Sequence, residues 1–332
     1  MVKMSRKKGA MDVLLSIYKG RPDLQLAFPE VNKGDYKRLL GWAVTCGVTI
    51  DPAKGSLDPV LSDLEVLIKP LMYAENLVNQ NILKNMYGEK FIFDIDERDE
   101  MYQFSVSHPS SHVSNPKAEY FKIGEIIVEC LLDVLKDLNY NIDHIHSFLD
   151  FACGYGRSIR FLVHRIPKDK VTVADVDKSA VDFCKKTFGV KGFYSVMDPE
   201  KLYHNDKYDI IYVVSLFTHL ALPLWEAWFK RLYDLLNDNG VLIFSTHGAS
   251  VYEQCDDFGK NLFDQPVRGF FYNRMSETTR LSLDEYGTTI VYPDFVVNFI
   301  YQNNCGKLLG FYPKKLNNHH DIYAVMKCKN KS

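Results

Sequence analysis

The stretch Leu149-Asp150-Phe151-Ala152-Cys153-Gly154-Tyr155-Gly156-Arg157 places an acid and two glycines where an apolar run gives way to a helical pattern. Gly154 and Gly156 permit a tight turn and close approach of the backbone to a ligand. Several nucleotide-binding loops share that glycine spacing, and two details narrow the choice. A dinucleotide fingerprint needs a third small residue where this chain has Ile159, and the lysine of a phosphate-cradling loop is missing. Asp150, at the end of the apolar run, would repel a pyrophosphate but favour a ligand carrying ammonium and sulfonium charge. Asp175 ends the next apolar run, 25 residues on. Its carboxylate can accept from both hydroxyls of a ribose. Met197 and Asp198 follow a third run, where the acid can accept from an adenine amino group and the thioether can pack on the ring. Asp175 and Asp177 also read as helix N-caps, where acids are favoured, and Asp177 is a rival for the ribose role.

Such residues need a frame that brings the ends of separate runs together. The short runs IHSFLDF, VTVADV, GFYSVM, DIIYVVSLF and GVLIFST alternate with helical patterns such as LPLWEAWFKRLYDLL, in which Trp225 and Trp228 are expected to pack a helix on a sheet. That alternation specifies an α/β fold, a Rossmann-like doubly wound parallel sheet with helices on both faces. Ligands of such sheets bind beyond the C-terminal strand ends, so the chemistry is expected in the loops after Leu149, Ala174, Met197, Val214 and Thr246. Upstream, Met11–Tyr18, Tyr36–Val48, Val60–Ile68 and Glu75–Met86 carry apolar residues at three- and four-residue spacing. Residues 91–115 lose the period, and a strong helix is expected from Lys117 to Leu138. The reading is a helical region over 1–115, for acceptor recognition, a lid or dimerisation, and a sheet domain over 116–332. Within the latter, 249–287 is an irregular, aromatic-rich insertion with Arg268, Phe270, Phe271, Tyr272 and Arg274, long for a loop in a compact domain. Pro293 can open a helix, and KLLGFYP and DIYAVMK read as a closing pair of strands.

Composition limits the partners. The 332 residues are 46% hydrophobic and 25% charged with a net charge of −2, the balance of a globular core. It argues against a general electrostatic grip on nucleic acid. No apolar run approaches the roughly 18 residues of a membrane span. The basic MVKMSRKKG has no apolar stretch after it and reads as a solvated terminus. The seven cysteines are scattered and never spaced as C-x-x-C, which argues against a disulfide framework or a zinc site and for a reducing, cytoplasmic setting.

Residues 145–248 resemble the core of the class I S-adenosylmethionine-dependent methyltransferases. LDFACGYGR resembles their first motif, VTVADVDKSAVDFCKKTFG their second strand and following helix, and YSVMDPEKL their adenine-binding turn. YDIIYVVSLFTHL and LLNDNGVLIFSTHG resemble the fourth and fifth strands. Ala152 stands where the family usually has glycine. The resemblance implies a seven-stranded sheet and S-adenosyl-L-methionine as cofactor. Asp150 and Gly154, with Ala152, Tyr155 and Gly156 of the same turn, would contact its methionine part. Asp175 would hold the ribose, and Val176, Met197 and Asp198 would surround the adenine. Ser215, after the fourth strand, and Tyr120, on the helix entering the core, are placed with the cofactor residues.

Methyl transfer is an in-line displacement in which the protein supplies proximity and orientation. An amine acceptor needs only to be deprotonated, whereas a hydroxyl needs a general base or a metal. His219 in SLFTHL and His247 in STHG are the candidate bases. No Asp, Glu and Asn cluster is evident in the expected loops, so no metal is expected. The run after the fourth strand lacks the N-P-P-Y or D-P-P-Y of enzymes that methylate amino groups of DNA bases. SLFTHL, STHG and the late segments resemble bacterial methyltransferases found with glycan-building enzymes. The expected acceptor is therefore a hydroxyl of a small molecule or of a sugar or glycan. The alternatives are N-methylation of an amino sugar or small amine, and a cofactor-binding module whose N-terminal helices dock a partner or form a homodimer.

Overall fold

A computed structural model describes residues 79–107, 115–255, 259–260, 263–264, 267–274 and 282–329. Three of the four expected N-terminal helices, and the start of the fourth, lie outside the described residues; 79–87 are helical. Residues 79–93 and 115–119 belong to one compact unit, and 94–107 with 120–329 to a second. The first unit carries a Lys84–Glu89 ion pair at 3.4 Å and an edge-on Phe91–Phe93 ring contact.

The second unit is built on one nine-stranded sheet. Five parallel strands form its centre: β1 (Phe148–Phe151), β2 (Val171–Asp175), β3 (Lys191–Tyr194), β4 (Tyr208–Val213) and β5 (Leu236–His247), in the order β3-β2-β1-β4-β5. All four residues of β1 are buried, as expected of a central parallel strand covered on both faces. β8 (Lys307–Leu316) and β9 (His320–Met326) form the closing antiparallel pair, and β9 lies antiparallel along β5 from Val241↔Met326 to His247↔His320. The sequence β3-β2-β1-β4-β5-β9-β8 thus gives the expected seven-stranded arrangement.

The described residues of the insertion include regular structure. It holds a short helix at Ala249–Gln254 and β6 (Phe270–Asn273), which pairs antiparallel with β7 (Thr288–Val291). All four residues of β6 are buried, so its aromatic run serves as a strand. β7 touches the tip of β5 through His247↔Ile290.

Helices cover the sheet. They include α1 (Glu100–Ser107), α2 (Pro116–Asp137), α3 (Ile159–Leu162), α4 (Lys178–Phe188) and α5 (Leu222–Asp234), and a further helix, Pro293–Gln302, opens at Pro293 as expected. Asp177 caps α4 by accepting from Ser179 N–H at 2.9 Å, and Gly189 ends it at φ +70°, the left-handed cap glycine favours. Trp225, Trp228, Phe229 and Leu232 of α5 are buried in the apolar core, as expected of that helix. Among the described residues no helix is long and apolar enough to cross a membrane.

Residues 94–107 belong with the sheet because Asp99 accepts from Tyr120 Oη at 2.5 Å and the Asp94 carbonyl accepts from Arg160 Nη1 at 3.1 Å.

Candidate functional site

The turn after β1 is held by its own backbone. The Ala152 and Cys153 N–H groups both donate to the Ala174 carbonyl, at 2.8 and 3.1 Å, tying the turn to β2. Gly154, at φ +51°, donates its N–H to Asp175 Oδ2 at 2.8 Å. A Cβ there would meet nothing within 4 Å, so the chain is open above it. Gly156, at φ +72°, answers a different need: a Cβ would lie 2.6 Å from the Phe188 ring and 2.9 Å from Cys184 Sγ. It lets the turn close on α4. Ala152 also has a positive φ, +62°, which explains the glycine usual at this position.

Asp150 is 4% exposed and accepts from Ser158 Oγ at 2.9 Å. Burial, reinforced by the nearby Asp175 charge, pushes its pKa up to about 7. Burial also raises Asp175, opposed by the N–H groups of Asp177 and Gly154. Those two donors engage one oxygen each, at 2.9 and 2.8 Å, and each oxygen keeps a further acceptor site. Asp177 is committed otherwise, to its α4 cap and to Tyr155 Oη at 3.1 Å. That arrangement favours Asp175 for the ribose.

These groups border a pocket of about 310 Å³ at the C-terminal ends of β1, β2 and β4. Of the sequence-expected residues, Asp150, Ala152, Gly154, Tyr155 and Asp175 line it, as do Val176, Met197, Ser215 and His219. The volume is at the lower end for a small-molecule site.

Four expected residues are placed elsewhere. Gly156 packs behind the turn. Asp198 caps the short turn Pro199–Lys201, accepting from Glu200 N–H at 3.1 Å, and pairs with Lys201 Nζ at 3.0 Å. Tyr120 is 2% exposed, its hydroxyl is spent on Asp99, and it acts from behind the wall. His247 is also off the pocket. Burial, then the neighbouring His319 and His219, pushes its pKa down to about 3, so it is a poor proton acceptor.

His219 is suited to the role both histidines were expected to contest. Its Nδ1 lies 2.8 Å from the Gly287 carbonyl oxygen, which can only accept. Nδ1 therefore carries the proton and Nε2 the lone pair. Burial lowers its pKa, so the ring is neutral near pH 7. Tyr286 stacks on it at 4.6 Å between centroids and 14° between planes. The segment after β4 is fastened to the end of the insertion by Gly287 N–H to the His219 carbonyl at 2.8 Å and Thr289 N–H to the Thr218 carbonyl at 2.7 Å.

Three contributors escaped the sequence reading. Asp99 and α1 residues Met101 and Phe104 line the pocket; Asp99 Oδ1 accepts from Met101 and Tyr102 N–H at 2.9 and 3.1 Å, an N-cap signal legible in Asp99-Glu100. Trp228 reaches the pocket from α5 and donates its indole N–H to the Met197 carbonyl at 3.2 Å. Tyr286 had no local signal.

The comparisons follow this geometry. Residues 148–240 match the profile of a methyltransferase domain family. Malonyl-(acyl-carrier protein) O-methyltransferase of Acetivibrio thermocellus is 28% identical over 149 residues, 44% of this chain and 50% of that protein. The enzyme of the same name from Bacillus cytotoxicus is 31% identical over 107 residues, 32% of this chain and 37% of that protein. The chain thus spans half or less of these two relatives. A crystal structure of an S-adenosylmethionine-dependent methyltransferase from Clostridium acetobutylicum is 16% identical, with 62% of this chain and 92% of that chain covered and a TM-score of 0.45. The open cradle above Gly154, the acids Asp150 and Asp175 and the apolar Val176 and Met197 fit a nucleoside with a cationic tail. The sheet order, this cradle and the matched profile support a class I S-adenosylmethionine-dependent methyltransferase domain built around residues 148–240.

Proposed function

We propose that the protein transfers a methyl group to a hydroxyl oxygen of a small molecule or sugar, with His219 as general base. S-adenosylmethionine, when bound, supplies an electrophilic methyl on sulfur. Asp175 would hold the ribose, Val176 and Met197 the adenine, and Asp150 with the Gly154 turn the cationic methionine end. The acceptor hydroxyl would approach from the side of His219, Tyr286 and α1. As the oxygen attacks, its proton passes to His219 Nε2, while Nδ1–H stays on the Gly287 carbonyl and keeps the ring in one tautomer.

The observation that carries this reading is the 2.8 Å contact between His219 Nδ1 and Gly287, because it fixes a neutral, acceptor-ready imidazole on the pocket wall. The names of the matched relatives, all O-methyltransferases, support oxygen over nitrogen as the acceptor atom. Cytoplasmic residence is part of the proposal and rests on the cysteine spacing.

The test is turnover of the full chain on panels of hydroxylated small molecules, sugars and matching amines, with wild type and His219→Asn. A hydroxyl product whose rate falls steeply in the variant supports the reading. Amine products with unchanged rate in the variant contradict it.

A further inference from the structure

A second group of side chains lies away from the pocket, and nothing in the methyl-transfer reading uses it. The tip of β5 and the start of β9 are paired in register, His247 opposite His320. Antiparallel partners place their Cβ atoms about 4.5–5.5 Å apart. His319 precedes His320, and the turn before them is fixed by Asn317 and Asn318, both at φ +53°. The three rings form a nearly equilateral triangle, with centroids 5.0, 4.9 and 5.2 Å apart. One ring nitrogen from each lies within 4.8 Å of the other two.

Three features distinguish this triangle from a chance grouping of histidines. His247 Nδ1 is buried and has no hydrogen-bond partner, a costly state that a ligand to that nitrogen would relieve. His320 Nδ1 sits 3.3 Å from Ser245 Oγ, which also accepts from Ser215 N–H at 2.9 Å. With two lone pairs the hydroxyl can accept from both. In that arrangement His320 carries its proton on Nδ1 and offers Nε2, with Ser245 as the outer partner that orients a metal-ligating imidazole. His319 is exposed, so an entry path exists.

We infer that His247, His319 and His320 form a binding site for a divalent transition-metal ion of the zinc class. Three neutral imidazoles suit zinc, cobalt, nickel or copper rather than magnesium or calcium. Zinc–nitrogen bonds of about 2.0–2.1 Å in tetrahedral geometry place ligand nitrogens about 3.4 Å apart. The three nitrogens, within 4.8 Å of one another, would close to that spacing on binding the ion. The fourth position, on the exposed His319 side, is left to water. A bound ion would clamp the β8–β9 turn to the end of β5, where the chain leaves the sheet for the insertion. Through Ser245 it would also brace Ser215, on the wall of the pocket. His219 is no ligand here; its ring lies 6.4 Å from that of His247 and faces the pocket. The sequence hides the site because 72 residues separate His247 from His319.

The test is metal retention by the full chain, independent of any methyl acceptor. Wild type, His319→Ala and His247→Gln are stripped with chelator, loaded with zinc chloride and dialysed, and bound zinc is measured by atomic emission. Cobalt(II) serves as a second probe, through its visible absorption. The expected result is about one tightly held zinc per wild-type chain and a four-coordinate cobalt spectrum. Affinity should fall by more than about 100-fold in His319→Ala, since loss of an outer partner alone costs 10–100-fold. His319 is exposed, so its removal leaves the fold intact. No retention by wild type overturns the site. So does equal retention by His319→Ala, or retention by a folded His247→Gln, which would leave only a surface pair. An octahedral cobalt spectrum counts against it as well.

Discussion

His219 Nδ1 and the Gly287 carbonyl oxygen stand 2.8 Å apart, and this contact joins the loop after β4 to the end of the insertion. It holds the neutral His219 ring in one tautomer, with Nε2 as the acceptor nitrogen that the proposed base needs. Replacing His219 by Asn or Ala should lower the methylation rate by about 10²–10⁴-fold, the usual contribution of a positioned general base. Binding of S-adenosylhomocysteine should change little, which separates a chemical role from a structural one.

The same residue sets a pH profile. The neutral imidazole is the active form, and burial lowers its pKa below the ordinary 6.5. Activity should therefore be level at neutral pH and fall only on the acid side, below that ordinary value. The acid limb should be absent from His219→Ala. An acid limb centred above 6.5 in wild type, or one that survives in the variant, would assign it to another group.

Asp150 should couple cofactor binding to protons. Its pKa is raised in the folded chain to about 7, against an ordinary value of 3.8. The folded state therefore holds the proton more tightly than the unfolded chain. The stability due to this group is greatest below pH 3.8 and declines as pH rises to about 7, by a few kcal/mol at most. A cationic ligand favours the carboxylate, so S-adenosylmethionine should bind more tightly as pH approaches 7 and should release a proton below it. Calorimetry in buffers of different ionisation enthalpy reads that proton directly. Asp150→Asn should abolish both the proton release and the pH slope of stability.

The three positive-φ positions of the first turn should respond differently. Gly156→Ala combines left-handed strain of about 1–2 kcal/mol with a clash against Phe188 and Cys184 that adds about 1–3 kcal/mol. It should damage folding. Gly154→Ala meets open space, so it should cost only the strain in stability while blocking the cradle. Ala152→Gly should stabilise by about 1 kcal/mol with binding retained. Denaturant unfolding, paired with ligand titration on the same samples, separates the three effects.

The parallel strands were legible because apolar runs of strand length alternate with amphipathic helices, a pattern that local sequence carries by itself. The cradle was legible for the same reason: Asp150, Gly154 and Asp175 sit at strand ends, where position follows from topology. Asp198, which precedes Pro199, also caps the next turn, a role that local sequence alone did not bring out. Choosing between His219 and His247 needed tertiary information. His219 lies in the turn after β4 and His247 ends β5; Tyr286 and Gly287 pack on the first, while β9 pairs with the second. The contacts that tie residues 94–107 to Tyr120 and Arg160 join positions distant in sequence, which local pattern does not carry.

The most direct measurement is thermal unfolding with and without S-adenosylhomocysteine, on wild type and Asp175→Ala. At 100 times the dissociation constant the ligand should add about 2.7 kcal/mol to the wild type, with no shift in the variant. A folded wild type that does not shift would contradict the cofactor site, and with it the methyl-transfer account.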